Sequence, residues 1–246
     1  MADIYNIIGI DMATDSRKRF TSFASFNGSK LLLKWVADGT SEGDLYTTIA
    51  SVSNNSRTLL ALDAPLGWPE PLGDHLANHL AGDPLCESPN KLFRRATDDF
   101  IKDKIDKRPL DVGADRIART AYAALALLSK LSKHIQYPVS LAWESTFDSI
   151  AAIEVYPAAT LIAHGQSAAG YKGKDGQKAR ATILSWLTKL IDISVDHKKL
   201  LVSNDNALDS VMCVLAGCDF LLNRCYPPTN LALAKKEGWI WVYNKE

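Results

Sequence analysis

The sequence predicts an α/β domain in which helices cover a mixed sheet. Three observations lead there. Two short apolar runs, Tyr5–Asp11 and Arg57–Asp63, read as buried strands. Between them, two more strand candidates at 19–26 and 30–36 flank Asn27-Gly28, a pair that favours a tight hairpin because both residues tolerate positive φ. Beyond Asp115 the apolar spacing is mostly helical. A hairpin followed by helix-connected strands implies a mixed sheet with helices packed on it.

In chain order, the opening three strands should form an antiparallel meander. A helix is expected over 41–53, with Ser41 as its cap and Glu42 and Asp44 at the positive end of its dipole. The strand ending at Asp63 follows. Pro65, Gly67, Pro69 and Pro71 then interrupt regular structure. The stretch 72–109 mixes short helical pieces with loops, and 115–134 is a stronger helix with an Ala/Leu-rich face. A strand at 149–156 stops at Pro157, and helices follow at 177–191 and 204–223. The alternating Trp239-Ile-Trp-Val-Tyr243 suggests a final strand. The expected layout is therefore a five-stranded sheet flanked by helices, in one domain over 1–246, with an enlarged helical and loop insertion at about 66–148 between the fourth and fifth strands. A right-handed crossover puts the Asp63 strand beside the first strand, on the side away from the hairpin. The chain changes direction between these two strands, and sites in open α/β sheets favour such switch points.

Bulk composition narrows the function classes. The chain has 246 residues, 47% hydrophobic and 23% charged, which argues against disorder. Its 28 basic and 28 acidic residues cancel, so net charge gives no support to non-specific phosphate binding, and contact with nucleic acid would need local basic patches. Cys86, Cys213, Cys218 and Cys225 form no C-x-x-C pair, which speaks against structural zinc. The start MADIYNIIGID lacks the basic and long apolar regions of a signal peptide, and no apolar run reaches membrane-spanning length. These features read as a cytoplasmic protein with no membrane partner.

Carboxylates carry the chemistry. Asp11 ends Ile-Ile-Gly-Ile, Asp63 ends Leu-Leu-Ala-Leu, and Glu154 interrupts Ala-Ala-Ile-Glu-Val-Tyr. A carboxylate in or at the end of a buried strand is costly unless paired, and three of them on separate strands suggest a shared cation. Asp209 is a fourth candidate. It lies four residues after Asp205, on the same helix face, beside an apolar face of Leu208, Val211, Met212 and Leu215 that would anchor the helix to the sheet. Four carboxylates can flank two ions roughly 3.5–4 Å apart, the arrangement of two-metal phosphodiester hydrolysis. Hard oxygen ligands suit magnesium or manganese. Each residue also has a plainer role open to it: turn amides for Asp11, an Asx turn for Asp63, a buried arginine for Glu154, a helix N-cap for Asp205, and solvation for Asp209.

These residues lie within a longer series. Gly9-Ile-Asp-Met-Ala13, Asp63-Ala-Pro-Leu-Gly-Trp-Pro69, Arg94-Arg-Ala-Thr-Asp98, Glu154-Val-Tyr-Pro-Ala158, Tyr171-Lys-Gly-Lys174 and Asp205-Asn-Ala-Leu-Asp209 occur in that order. The series resembles the family called domain of unknown function 429, described as predicted nucleases with a ribonuclease-H fold. It runs from Gly9 to about Gly217, and the segments around Asp63 and Glu154 are its most specific parts. The resemblance implies a ribonuclease-H-like sheet and a nuclease activity. The long segment between Pro65 and Glu154 departs from a minimal domain of that fold, where one crossover helix suffices, and can serve as a lid or specificity element.

Basic and aromatic side chains complete the set of candidates. Arg94 or Arg95 can clamp a phosphate bidentately, although the lysines and aspartates that follow also fit a solvated helix with internal ion pairs. Lys172 is the preferred substrate contact, in a glycine-containing basic loop just before a helix. Trp68 can stack on a base or pack the proline-rich loop. His75 and His79, four apart, are read as helix-surface or core residues and not as metal ligands, the role of the isolated His164 stays open, and no Ser-His-Asp or Cys-His set stands out.

The leading expectation is a magnesium- or manganese-dependent phosphodiesterase or nuclease acting on DNA, RNA or a small phosphodiester. Asp11, Asp63, Glu154 and Asp209 would hold metal, with Asp205 as alternative to Asp209, and Arg94, Arg95 and Lys172 would meet phosphate. Two rivals stand beside it. A non-catalytic module on the same fold would bind a nucleotide, nucleic acid or protein. An actin-like phosphotransferase would need a second Gly-x-Asp hairpin, which the sequence lacks.

Overall fold

The computed structural model of the protein describes residues 4–39, 42–53, 56–113 and 115–245. Ser41, the expected helix cap, lies outside them. The sheet has seven strands among the described residues: β1 (Tyr5–Asp11), β2 (Phe20–Phe26), β3 (Leu31–Asp38), β4 (Arg57–Asp63), β5 (Ser140–Leu141), β6 (Ile150–Glu154) and β7 (Ile191–Asp192). Their order across the sheet is β5-β6-β4-β1-β2-β3-β7. β1, β2 and β3 form the antiparallel meander, and β4 runs parallel to β1 on the side away from the hairpin, as the crossover rule requires. β6 continues the parallel half.

The expected count of five strands becomes seven because two are only two residues long. Such strands carry no periodicity to read. β7 also shortens the helix expected over 177–191: it ends at Leu187, and Ile191 is already paired with Leu31 of β3. The final strand expected at 239–243 reduces to isolated bridges, Glu154 to Ile240 and Cys225 to Tyr243.

Helices cover both faces. On one, α7 (Gln177–Leu187), α8 (Val195–Ser203) and α9 (Asp205–Leu221) bury Ile7, Phe20, Ala24 and Leu33 of the meander. On the other, α1 (Glu42–Ser53) and α5 (Asp115–Ile135) bury Ile8, Ile10, Leu60 and Leu62. Successive residues of β1 therefore feed opposite cores, which is why an uninterrupted isoleucine run suits a strand covered on both sides. Between β4 and β6 the insertion adds α2 (Glu70–Leu76), α3 (Pro89–Phe93), α4 (Ala96–Ile105) and α5, and it contributes the edge strand β5. The remaining α-helices among the described residues are α6 (Pro157–Ala163) and α10 (Leu231–Glu237). No helix among the described residues is long and apolar enough to cross a membrane.

The contact that positions the site is between α9 and β1. A Cβ added at Gly9 would stand 2.0 Å from the carbonyl oxygen of Ser210 and 2.8 Å from the amide nitrogen of Val214, so glycine alone admits the helix backbone. Two turns further along α9, Gly217 accommodates Ile7, whose methyl would lie 2.8 Å from a Cβ there. The helix thus runs antiparallel to β1, with its first turns over the Asp11 end. Substituting Gly9 by Ala should destabilise the fold by about 1–3 kcal/mol through overpacking, seen as a lower urea midpoint with little change in slope.

Candidate metal centre

Parallel register sets Asp11 directly beside Asp63 at the ends of β1 and β4. Gly9 and Asp11 are two apart, so both face α9. Asp209 immediately precedes Ser210, the residue that lies on Gly9. It is fully buried, so the solvated role open to it in the sequence is excluded. One oxygen from each of Asp11, Asp63 and Asp209 falls within 4.8 Å of the others, a grouping that can hold a metal ion.

Electrostatics make this cluster unstable as three bare carboxylates. Burial and the neighbouring Asp209 push the Asp11 carboxyl up to about 8. Burial, then Asp11 and Asp209, drive Asp63 well above the usual carboxylate range. The nearby compensating cation is Lys172, whose ammonium bonds Asp209 Oδ2. Burial opposes the Lys172 charge, but Asp209, Asp11 and Asp63 outweigh it and raise its pKa. The Lys172 ammonium alone does not balance three carboxylates, and a bound divalent cation would supply further positive charge.

The surrounding shell fixes Asp209 and its loop. The Tyr171 hydroxyl donates to Asp209 Oδ1 at 2.9 Å. Asp205 accepts the Gly173 amide at 2.9 Å, so it shapes the Lys172 loop. The N-cap of α9 is instead Asn204, which accepts from Ala207 at 3.0 Å. Arg180 is buried, and its guanidinium donates to the carbonyls of Tyr171 at 2.5 Å, Gly173 at 2.8 Å and Val202 at 2.7 Å. The basic loop is therefore organised from beneath by one of its own cations, leaving Lys172, about half exposed, at the carboxylates.

Glu154 takes a different place from the one expected. β6 pairs Glu154 with Leu62, not with Asp63, and Leu62 belongs to the core on the α1 and α5 face. Alternation along the strand therefore turns Glu154 away from the face that carries Asp11 and Asp63. Its oxygens accept from both terminal nitrogens of Arg95, at 2.7 and 2.8 Å, and from the Leu66 amide at 2.9 Å. The buried-arginine reading of Glu154 thus describes it, and the three-aspartate grouping does not include it.

Arg95, expected at a phosphate, is buried and fully engaged. Besides Glu154 it binds both oxygens of Asp98 and the carbonyl of Glu237. Burial works against its charge, but Glu154 and Asp98 prevail and hold its pKa above the ordinary value. Arg94 pairs with Asp111 at 3.2 Å. The buried Glu237 carboxylate accepts the amides of Glu70 and Ala96, each at 2.8 Å, and so satisfies the first turns of α2 and α4 together. This knot ties the insertion to the sheet. It was invisible in the sequence, because its members lie in four separate segments.

The other candidates have local partners. His75 and His79 bond the carbonyls of Pro71 and Asp83, and His164 lies 2.7 Å from Asp219. Trp68 is half-buried. The four cysteines are free thiols.

A profile described as "Protein of unknown function (DUF429)" matches residues 9–231. The chain belongs to this family. The match spans the carboxylates, the insertion and the Lys172 loop of this DUF429 protein. No curated protein and no solved structure matches significantly.

Two outcomes follow for the isolated protein. Arg95→Met leaves Glu154 and Asp98 buried without their cation and should cost about 3–5 kcal/mol, measured by chemical denaturation. The pH dependence tests the carboxylates. The folded Asp11 pKa stands above the unfolded value, so the folded state binds more protons between about 4 and 8. In chelator, stability should be fullest below about pH 4 on this account and decline as pH rises to about 8. Asp11→Asn should flatten that decline, as should added manganese, when the melting temperature is followed across the range.

Proposed function

We propose that this DUF429 protein is a magnesium- or manganese-dependent phosphodiester hydrolase, and specifically a nuclease. The observation that carries the reading is the meeting of Asp11, Asp63 and Asp209 at one sheet end, where the single ammonium of Lys172 bonds Asp209 and cannot balance three carboxylates. The strand arrangement adds support. An antiparallel β1-β2-β3 meander continued by parallel β4 and β6 fits a ribonuclease-H-like sheet, and its carboxylates stand at the switch point between β1 and β4.

Asp11, Asp63 and Asp209 would hold the ion, and their all-oxygen donor set suits a hard cation. When bound, such an ion supplies positive charge that polarises a phosphoryl oxygen and acidifies water. Tyr171 fixes Asp209 by bonding one of its oxygens and leaves the other towards Lys172. Lys172 can move its ammonium from Asp209 to a substrate phosphate once the carboxylates are neutralised, because its side chain is half exposed. In this role it replaces Arg94 and Arg95, whose guanidiniums are bound to Asp111, Asp98 and Glu154.

The test is calorimetric titration with manganese, followed by cleavage assays on single- and double-stranded DNA and RNA. Wild type should bind manganese saturably and cleave. Asp11→Asn should lose binding and at least a hundredfold in rate while staying folded. Metal binding without cleavage of any strand or small phosphodiester would move the assignment to a binding module on the same fold. ATP turnover without phosphodiester cleavage would move it to phosphoryl transfer.

A further inference from the structure

We propose that the cleft between Asp63 and the insertion is a base subsite, which takes the flat uncharged ring of a nucleotide whose phosphate lies at the carboxylates. It rests on the hydrolase reading for the position of that phosphate.

The cleft has a volume of about 110 Å³ and opens beside Asp63, so whatever fills it adjoins the metal centre. Its walls are hydrocarbon: Pro65, Val155 and Ile240 from the sheet side, and Pro109, Leu110 and Ile117 from the insertion. Arg95 and Glu154 also line it, but their polar groups are consumed by each other, Asp98, Leu66 and Glu237. A charged occupant would find no free partner in that ion pair, whereas an apolar ring would keep its faces against proline and branched aliphatic surface. The half-buried Tyr156, together with Asp63, gives the lining polar groups for the edge of such a ring. Small-molecule sites have this make-up, mostly apolar with a few polar groups that fix orientation.

The outer wall is held in place. Arg108 pairs with Asp99 at 2.5 Å, Asp111 accepts from Arg94 at 3.2 Å, and Val112 is fully buried. Between these anchors Leu110 is 71% exposed. Leu110 therefore stands in water at the rim of the apolar cleft, on a segment pinned on both sides, where an occupant of the cleft would meet it. The enlarged insertion would thereby give the site its preference for a base-bearing substrate.

The experiment compares a nucleoside 5′-monophosphate with ribose 5-phosphate, each titrated calorimetrically into the manganese-loaded protein. The nucleotide should bind at least tenfold more tightly. Leu110→Ser, at an exposed position, and Ile117→Ser should shrink that ratio below threefold and leave manganese binding and ribose 5-phosphate affinity unchanged. Equal affinities in wild type, binding of neither compound, or a ratio that survives both substitutions would overturn the subsite. Cleavage separates this from the activity. A base preference without cleavage of any phosphodiester keeps the subsite and removes the hydrolase. Cleavage of an abasic strand as fast as its normal counterpart keeps the hydrolase and removes the subsite.

Discussion

The site depends on how closely the backbone of α9 can lie on β1. At Gly9 the helix backbone occupies the space a side chain would need, and the meeting of Asp11 with Asp209 follows from that approach. Asp11 comes from the strand two residues beyond the contact, and Asp209 comes from the helix one residue before it. Asp63 enters through the parallel register of β4 on β1. A buried hydrogen bond between Ser22 and Ser210, 2.5 Å long, pins the same turn of α9 to β2. Three elements distant in sequence are thus brought to one point by packing, and the charge they carry is incompatible with that packing unless a cation or protons accompany it.

Much of this was legible in the sequence for a physical reason. β1 and β4 are buried on both faces, so they appear as unbroken aliphatic runs, and a terminal aspartate on such a run is conspicuous. The Asn27-Gly28 hairpin fixed the meander, and the handedness of crossovers fixed β4 beside β1. Asp209 was visible because the apolar residues beside it implied a helix pressed against the sheet. β5 and β7 were not visible, since two residues have no period, and the aromatic alternation at 239–243 mimics a strand while making only isolated bridges.

Glu154 shows where such reading fails. A glutamate in an apolar strand announces that something must pair with it, but composition does not say what. One residue of register decides: paired with Leu62 instead of Asp63, its side chain goes to the other face and meets Arg95. The same long-range pairing hid the role of Arg95, which in sequence is one of two adjacent arginines and in space is buried beneath the insertion. Tyr171 and Arg180 were part of a basic loop in sequence. Their functions, fixing Asp209 and holding loop carbonyls, emerge only when α8 and α9 are brought beside that loop.

The carboxylate of Glu237 has a consequence for the order in which the protein can be completed. The amides it accepts, at Glu70 and Ala96, are 167 and 141 residues away in sequence. The strands and helix that gather the three aspartates end at Leu221. During synthesis the acidic cluster can therefore form before the insertion has its final anchor, because the residue that stitches α2 and α4 down has not yet emerged. The cleft wall therefore hangs on a residue that follows every element of the acidic centre in the chain, so a chain cut after Leu221 would keep the elements that hold charge and lose the stitch on the part that shapes access to it.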